Sequence, residues 1–196
     1  MPRPYQKFLL SIFLVVGGGH CAAVWGQAEG ALPAWRIKIL DVAATYLAEK
    51  KPGPRNDCSS LVTAILDDAG IKVSGNSASL WHAAEGDGRL TQTPLPGDLA
   101  FFDFTYDANA NGKVDDELTH VALITAIDAD GLIVMVHFGS GETREMRMDL
   151  RRPDVHRAKG RLLNDFLRAK NYGDENTPRL AGQLFRGFAR VRNDAR

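Results

Sequence analysis

The sequence is poor in cysteine and has no apolar stretch long enough to span a bilayer. It contains 2 cysteines among 196 residues, which excludes a scaffold held together by several disulfides. The apolar run Phe8–Val16 is much shorter than the roughly 20 residues that a membrane-spanning helix needs. No internal repeat and no low-complexity segment is present, so neither a repeat architecture nor a disordered chain is indicated. With 44% hydrophobic residues, the chain is expected to form one folded domain.

The N-terminal residues have the composition of a secretory signal peptide. Basic residues precede the apolar run, and small residues follow it. We therefore predict a signal peptide over residues 1–28, with cleavage after Gly26 or Ala28. The protein is then exported to the periplasm, the cell envelope or the extracellular space. The alternative is a lipoprotein anchored at Cys21, although His20 stands where a small residue is expected.

Removal of that segment leaves Cys58 as the only cysteine of the mature domain, residues 29–196. Exported proteins usually pair their cysteines, so a single one is either an inert buried side chain or a reactive thiol. Cys58 is predicted in the first turn of a helix that Asn56 or Asp57 caps. Free backbone N–H groups and the helix dipole at this position are expected to lower the pKa of the thiol. Cys58 is therefore the candidate nucleophile.

The spacing of apolar residues and turn residues predicts an α+β fold, with helices first and an antiparallel sheet after them. The predicted helices are Trp35–Ala48, a helix from Cys58 to just before Gly70, and a short one around Leu80–Ala84. The predicted strands are Asp98–Phe104, Thr119–Ile127, Leu132–Phe138 and Arg144–Met148. From about residue 155 we expect a C-terminal extension of the same domain. It is predicted to contain a helix over Arg161–Lys170 and either a helix or a strand over Leu184–Val191.

Two histidines lie at the ends of neighbouring predicted strands. His120 opens one strand, and His137 closes the next. With a two-residue turn, the two side chains share one face of the hairpin, one diagonal step apart. A three-residue turn would place them on opposite faces. On a shared face, one imidazole can accept the thiol proton while the other fixes its tautomer and ring angle. With that turn, Cys58, His120 and His137 are the candidate catalytic residues.

Three blocks of the sequence resemble the NlpC family of papain-like cysteine peptidases of bacterial cell walls. In the family's order, the blocks are Asn56–Val62, Leu95–Phe102 and His120–Ile124. The resemblance implies a papain-like fold, in which the cysteine helix packs on the sheet that carries the histidines. It implies Cys58 as nucleophile, His120 as base and His137 as the third member of the triad. It also implies hydrolysis of an amide bond in peptidoglycan stem peptides, commonly between D-glutamate and diaminopimelate.

The sequence departs from the family's pattern just before the cysteine. The family often carries a tyrosine and paired glycines there, where this chain has Lys50–Arg55, and Tyr46 is a candidate substitute for the tyrosine. The related CHAP amidases usually have asparagine or glutamate as the third member, so His137 favours NlpC. Three alternatives stay open. They are a CHAP-like N-acetylmuramoyl-L-alanine amidase, a thiol acyltransferase with the same triad, and a non-catalytic, calcium-stabilised wall-binding module.

An acidic segment before His120 resembles an EF-hand-type calcium loop, with oxygen side chains at alternate positions and glycine at the sixth. The candidate Ca²⁺ ligands are Asp107, Asn109, Asn111, Asp115, Asp116 and the backbone carbonyl of Lys113. Leu118 stands where the loop usually ends in glutamate, so Asp116 or Glu117 would have to serve. The alternative is a polar hairpin tip built on Asn111–Gly112. The ion would brace the strand of His120 without entering the chemistry, and no zinc site is indicated.

The net charge is zero, but the charges are unevenly distributed. Residues 27–143 contain 8 Lys/Arg and 17 Asp/Glu, whereas residues 144–196 contain 14 and 7. The basic tail is expected either to contact an anionic wall polymer or membrane surface weakly or to pair with the acidic half. Nucleic-acid binding is not expected, because the tail lacks interleaved aromatic residues. The predicted partner is the peptidoglycan peptide, and the protein is expected to be a monomer.

Overall fold

The computed structural model describes residues 31–168 and 177–193, which form an α+β fold. The helices are α1 (Ala34–Ala48), α2 (Cys58–Asp68), α3 (Ser77–Gly86) and α4 (Ala181–Leu184). The strands are β1 (Leu90–Thr91), β2 (Leu99–Phe102), β3 (His120–Ile127), β4 (Ile133–Gly139), β5 (Glu142–Met148), β6 (Arg157–Ala158), β7 (Arg161–Leu162) and β8 (Phe185–Ala189). Within these ranges no helix combines the length and the apolar character needed to cross a membrane. The predicted signal peptide lies outside the described residues.

In the described part of the chain, six strands form one antiparallel sheet in the order β1-β8-β2-β3-β4-β5. Strand β8 lies between β1 and β2, although it comes from the end of the chain. The tail therefore contributes a strand to the sheet beside β2, which carries part of the second sequence block. Strands β6 and β7 pair only with each other in this structure.

The sheet packs on both of its faces. On one face, Val121 and Leu123 of β3 join the apolar sides of α1, α2 and α3. On the other face, Ala122 and Ile124 join β4, β5 and the described part of the tail, including Phe188. This alternation follows from the two-residue period of a strand, and it explains why β3 is apolar along most of its length.

Helix α2 begins where the sequence predicts. The Asp57 carboxylate accepts the Ser60 backbone N–H at 2.7 Å, and the Asp57 N–H donates to the Ser60 hydroxyl at 3.4 Å. Along the helix, Ile65 is fully buried. Gly70 follows the helix with φ of +92°, a conformation that glycine adopts without strain. Capping and burial together fix the turn that carries Cys58.

Two features of the hairpin between β3 and β4 decide whether the two histidines share one face, and their effects oppose each other. The Asp128 N–H bonds to the Leu132 carbonyl at 3.0 Å, which encloses three turn residues, so of the two turn lengths left open by the sequence the longer one forms. Such a turn alone would place the two histidines on opposite faces. A β-bulge between Ile124 and Ala126 adds one residue to β3 and restores the shared face.

The predicted helix over Arg161–Lys170 is wrong where the structure describes it. Strand β7 occupies its first two positions, and the chain then runs irregularly to Arg168. Asn164 explains the difference, because its buried amide bonds to three backbone groups within residues 149–155. Such side-chain bonds to the backbone compete with a helix. The last two predicted positions lie outside the described residues.

Other boundaries differ by a few residues. The short helix predicted around Leu80–Ala84 extends over the whole of α3, because Asn76 caps it by accepting the Ser79 N–H at 2.9 Å. Strand β2 is shorter than the predicted Asp98–Phe104, since Phe104 takes a positive φ of 58°. The C-terminal segment, for which helix and strand were both open, forms α4 followed by β8.

Candidate active site

Cys58 is the first residue of α2, and its side chain is half-buried. The backbone N–H groups of Val121 in β3, of Ser59 and of Cys58 itself favour the ionised form of the thiol. Burial raises the pKa of the Cys58 thiol and the charge of Asp57 adds to this, while the three N–H donors oppose it. The net shift is upward. The lowered thiol pKa expected from the helix terminus is therefore wrong for the free protein.

The two histidines meet where β3 and β4 no longer pair. Backbone pairing between these strands stops short of both residues, and Nε2 of His120 lies 3.0 Å from Nδ1 of His137. Their ring planes are inclined by 79°, and both side chains are buried. Cys58 lines a cleft together with Thr119, which directly precedes His120, and the Val121 N–H acts on its thiol, so the thiol lies at this end of β3. The structure thus brings the three predicted residues together.

Both imidazoles are neutral near neutral pH. Burial lowers the pKa of His137 to about 4, with a further contribution from the charge of Arg144, its neighbour across the strands. Burial, and then the proximity of His137, lowers the pKa of His120 well below its ordinary value. For Nδ1 of His120 to accept a proton, its Nε2 must carry hydrogen and donate it to His137 Nδ1. The observed bond suits this tautomer.

Gly139 makes room for the His137 ring. The two residues lie on the same face of β4. A Cβ atom at position 139 would lie 2.6 Å from Cε1 and 3.1 Å from Nε2 of the ring. A larger residue would therefore displace the ring from His120. Gly139 was not identified from the sequence, although a glycine two residues after a histidine in a strand was the available signal.

The buried histidines are expected to make the protein less stable in acid. Unfolded histidine titrates near 6.5, whereas His137 in the folded protein titrates at about 4. Below pH 6.5 the unfolded chain binds more protons, so stability that is complete above 6.5 is lost as the pH falls through 4. For His137 the loss amounts to roughly 3 kcal/mol. Urea unfolding at several pH values measures it.

Two histidine variants separate the contribution of His137 to the pH dependence of stability from that of the carboxylates, which also titrate in acid. His137→Asn should flatten the dependence of unfolding free energy on pH between 6.5 and 4. The exposed His82, which pairs with Glu85 at 3.3 Å, serves as the control in His82→Asn. Equal pH dependence in wild type and His137→Asn would contradict the buried neutral state.

An open cleft of about 360 Å³ lies at Cys58 and is also lined by Arg55, Asp57, Ser59 and Tyr106. The Asp57 carboxylate accepts hydrogen bonds from Arg55 Nε at 2.9 Å and from the Ser59 hydroxyl at 2.8 Å. Burial opposes ionisation of Asp57, but these bonds and its cap on α2 prevail and lower its pKa. The cleft therefore presents a fixed carboxylate beside the thiol. Tyr106 was not identified from the sequence.

Tyr46 does not line the cleft. Its side chain is buried between α1 and α2, and its hydroxyl donates to Asp68 at 2.8 Å. The suggestion that Tyr46 replaces the tyrosine of related sequences is therefore wrong.

The predicted calcium loop forms a compact turn. The Asp107 carboxylate accepts the N–H groups of Asn111 at 3.1 Å and Gly112 at 2.8 Å, and the Asn111 side chain accepts that of Lys113 at 2.8 Å. In residues 31–168 and 177–193, no group of three His, Cys, Asp or Glu side chains is arranged to hold a metal ion. Ca²⁺ binding by Asp107, Asn109, Asn111, Lys113, Asp115 and Asp116 stays a prediction.

Thermal unfolding with Ca²⁺ and with a chelator tests it. Ca²⁺ at about 100 times its dissociation constant should stabilise the fold by about 2.7 kcal/mol. This corresponds to a rise in Tm of about 5–10 °C for a chain of this size. Asp107→Ala should abolish the rise, and Asp87→Ala, outside the loop, should keep it. An unchanged Tm in the wild-type protein would remove the calcium prediction.

A cysteine at the start of a helix, packed on an antiparallel sheet that carries a histidine pair, is the arrangement of a papain-like cysteine hydrolase. Residues 45–141, about half of the chain, match the sequence profile of the NlpC/P60 family. The chain belongs to the NlpC/P60 family. The family is associated, in general terms, with cell-wall peptidase-like functions.

Two solved structures are similar to this chain. One, from Staphylococcus aureus subsp. aureus Mu50, is described as similar to lipoprotein, NLP/P60 family. It is 19% identical with a TM-score of 0.45, and the match covers 90% of this chain and 46% of that one. The other, Ly7917, is 13% identical with a TM-score of 0.41, covering 58% and 56%. This chain thus spans about half the length of each. A comparison with curated proteins gave no match.

Proposed function

We propose that this chain is an exported cysteine peptidase that hydrolyses an amide bond in peptidoglycan stem peptides through an acyl-thioenzyme. The observation that carries the proposal is the 3.0 Å contact between His120 and His137 at the end of β3 where the Cys58 sulfur lies. Burying two imidazoles, whose pKa values it lowers, opposes folding in acid. A pure binding module would have no need of that arrangement, so it supports catalysis.

In the first step, Nδ1 of His120 accepts the thiol proton and the Cys58 sulfur attacks the carbonyl carbon of the amide. Backbone N–H groups at the start of α2 donate to the oxyanion that forms. His120 then gives its proton to the leaving amine as the C–N bond breaks, and Cys58 stays acylated. Since burial raises the pKa of Cys58, the thiol is protonated at rest, and proton transfer accompanies attack on the bound peptide.

In the second step, His120 takes a proton from water, and the water oxygen attacks the thioester carbonyl. The C–S bond breaks, the new carboxylic acid leaves, and the Cys58 sulfur regains the proton. Throughout both steps, His137 holds the tautomer and ring angle of His120 through their hydrogen bond. The third member thus acts through orientation and not as a proton carrier.

The paired charges of the tail favour an intramolecular role for its arginines. Arg161 forms ion pairs with Asp128 and Asp130, the latter at 3.2 Å. Arg186 pairs with Asp103 at 3.2 Å and with Glu117 at 3.0 Å. These ion pairs join the basic tail to the acidic half. The two arginines therefore have partners within the chain and do not need an anionic polymer to balance their charge.

A digest of soluble muropeptides by the mature protein and by Cys58→Ala tests the proposal. Under reducing conditions, only the wild-type protein should produce new free amino groups and shortened stem peptides. Product masses then identify the bond. Release of intact stem peptides from the sugar would instead support a CHAP-like amidase. Equal product profiles from the two proteins would contradict cysteine catalysis.

A further inference from the structure

Tyr106 is a half-exposed aromatic residue in the wall of the cleft. It lines the cleft together with Cys58 and Asp57, and 49% of its surface is exposed. Burial raises the pKa of its phenol, and the nearby Cys58 and Asp57 add to the effect. A ring open to solvent on one side has apolar surface that a ligand in the cleft can cover.

The segment that carries Tyr106 is cross-linked at its base. The Thr119 hydroxyl accepts both the N–H and the hydroxyl of Thr105, each at 2.9 Å. The Asp103 carboxylate accepts the Leu118 N–H at 2.7 Å. One of these anchoring residues, Thr119, directly precedes His120, the first residue of β3 and the proposed general base of the reaction.

Further hydrogen bonds hold the two ends of this loop, where the backbone adopts a conformation that is uncommon for non-glycine residues. Phe104 and Leu118 have φ angles of 58° and 53°. The Phe104 carbonyl accepts a bond from the buried Arg168 at 2.5 Å, and the Phe104 N–H donates to the Asp116 carbonyl at 2.8 Å. None of these bonds involves the Tyr106 side chain. Its substitution is thus expected to change the cleft and leave the loop in place.

We propose that Tyr106 is a specificity-determining residue whose ring packs against the bound peptide beside the scissile carbonyl. The inference rests on the proposed function and deepens it. It places an aromatic contact to the bound peptide on the loop between β2 and β3. Tyr46 is excluded from this role, because its hydroxyl is bound to Asp68 between α1 and α2.

Kinetics with a disaccharide-tetrapeptide muropeptide test this assignment. Tyr106→Ala should raise KM about 10-fold, because the covered ring surface is lost, and should change kcat less. Tyr106→Phe keeps the ring, so its KM should stay within about threefold of wild type. Phe166, with 52% exposure and outside the cleft, provides the matched control in Phe166→Ala. An unchanged KM in Tyr106→Ala would overturn the proposal.

Alkylation of Cys58 by iodoacetamide separates this proposal from the proposed function. Without peptide, wild type and Tyr106→Ala should react at similar rates. The muropeptide should protect Cys58 in the wild type and about 10-fold less well in Tyr106→Ala. Such protection without any hydrolysis would support Tyr106 as a contact while removing the peptidase proposal. Hydrolysis and protection that are equal in both proteins would remove only the role of Tyr106.

Discussion

Replacement of His120 by alanine is expected to lower kcat/KM about 10⁴-fold or more while the protein stays folded. Without this imidazole, the protonated Cys58 thiol has no base to accept its proton, and the leaving amine has no acid to supply one. The effect should be large because burial raises the pKa of Cys58, so that little thiolate forms spontaneously. Hydrolysis of a muropeptide under saturating and limiting substrate measures it.

Matched variants show whether the residues act as a unit. Cys58→Ala combined with His120→Ala should be no less active than either single variant. His137→Gln should lose about 10²- to 10⁴-fold, because the ring angle and tautomer of His120 are then less well fixed. His82→Gln, on the exposed side of α3, should keep full activity. A folded His120→Ala protein with more than a tenth of wild-type activity would rule His120 out as the base.

Asp98→Asn is expected to lower the free energy of unfolding by about 3–5 kcal/mol. Asp98 is fully buried and bonds to the buried Arg36 at 2.8 Å and to the backbone N–H groups of Leu95 and Val191 at 2.9 and 3.0 Å. It therefore ties together α1, the turn before β2 and the segment that follows β8. Asparagine has nearly the same shape, but it leaves the Arg36 charge without a counter-charge. Urea unfolding at neutral pH measures the loss.

An exposed aspartate provides the control for the stability prediction. Asp87 pairs with Arg89 at 2.9 Å, but its side chain is 61% exposed. Asp87→Asn should therefore change the free energy of unfolding by less than about 1 kcal/mol. Similar losses in the two variants would contradict the central structural role assigned to Asp98.

The start of α2 was predictable because its signals are local. Asp57 and Ser60 form a capping box within one turn, so their spacing alone places Cys58 at the helix terminus. The pKa of the thiol was not predictable, since it depends on burial in the folded protein and on groups distant in sequence, such as the backbone N–H of Val121. The local pattern thus predicted the position of Cys58, while tertiary packing determines the protonation of its thiol.

The shared face of the histidine pair could be predicted from the sequence only conditionally. It required a two-residue turn there, whereas the structure combines a three-residue turn with a β-bulge. Both arrangements give the same parity between His120 and His137, and no residue type marks the bulge in advance. Gly139 was missed because its role depends on the orientation of the His137 ring in the same strand, and Tyr106 because only the folded chain brings it into the cleft of Cys58.

Digestion of muropeptides in water enriched in oxygen-18, by wild type and by Cys58→Ala, tests the central claim most directly. The wild-type protein is expected to release a free amine and to place one oxygen-18 atom in the new carboxylate, because water breaks the thioester. Cys58→Ala should give neither product. Equal cleavage by the variant would contradict cysteine catalysis, and an acyl product without oxygen-18 would contradict hydrolysis in favour of acyl transfer.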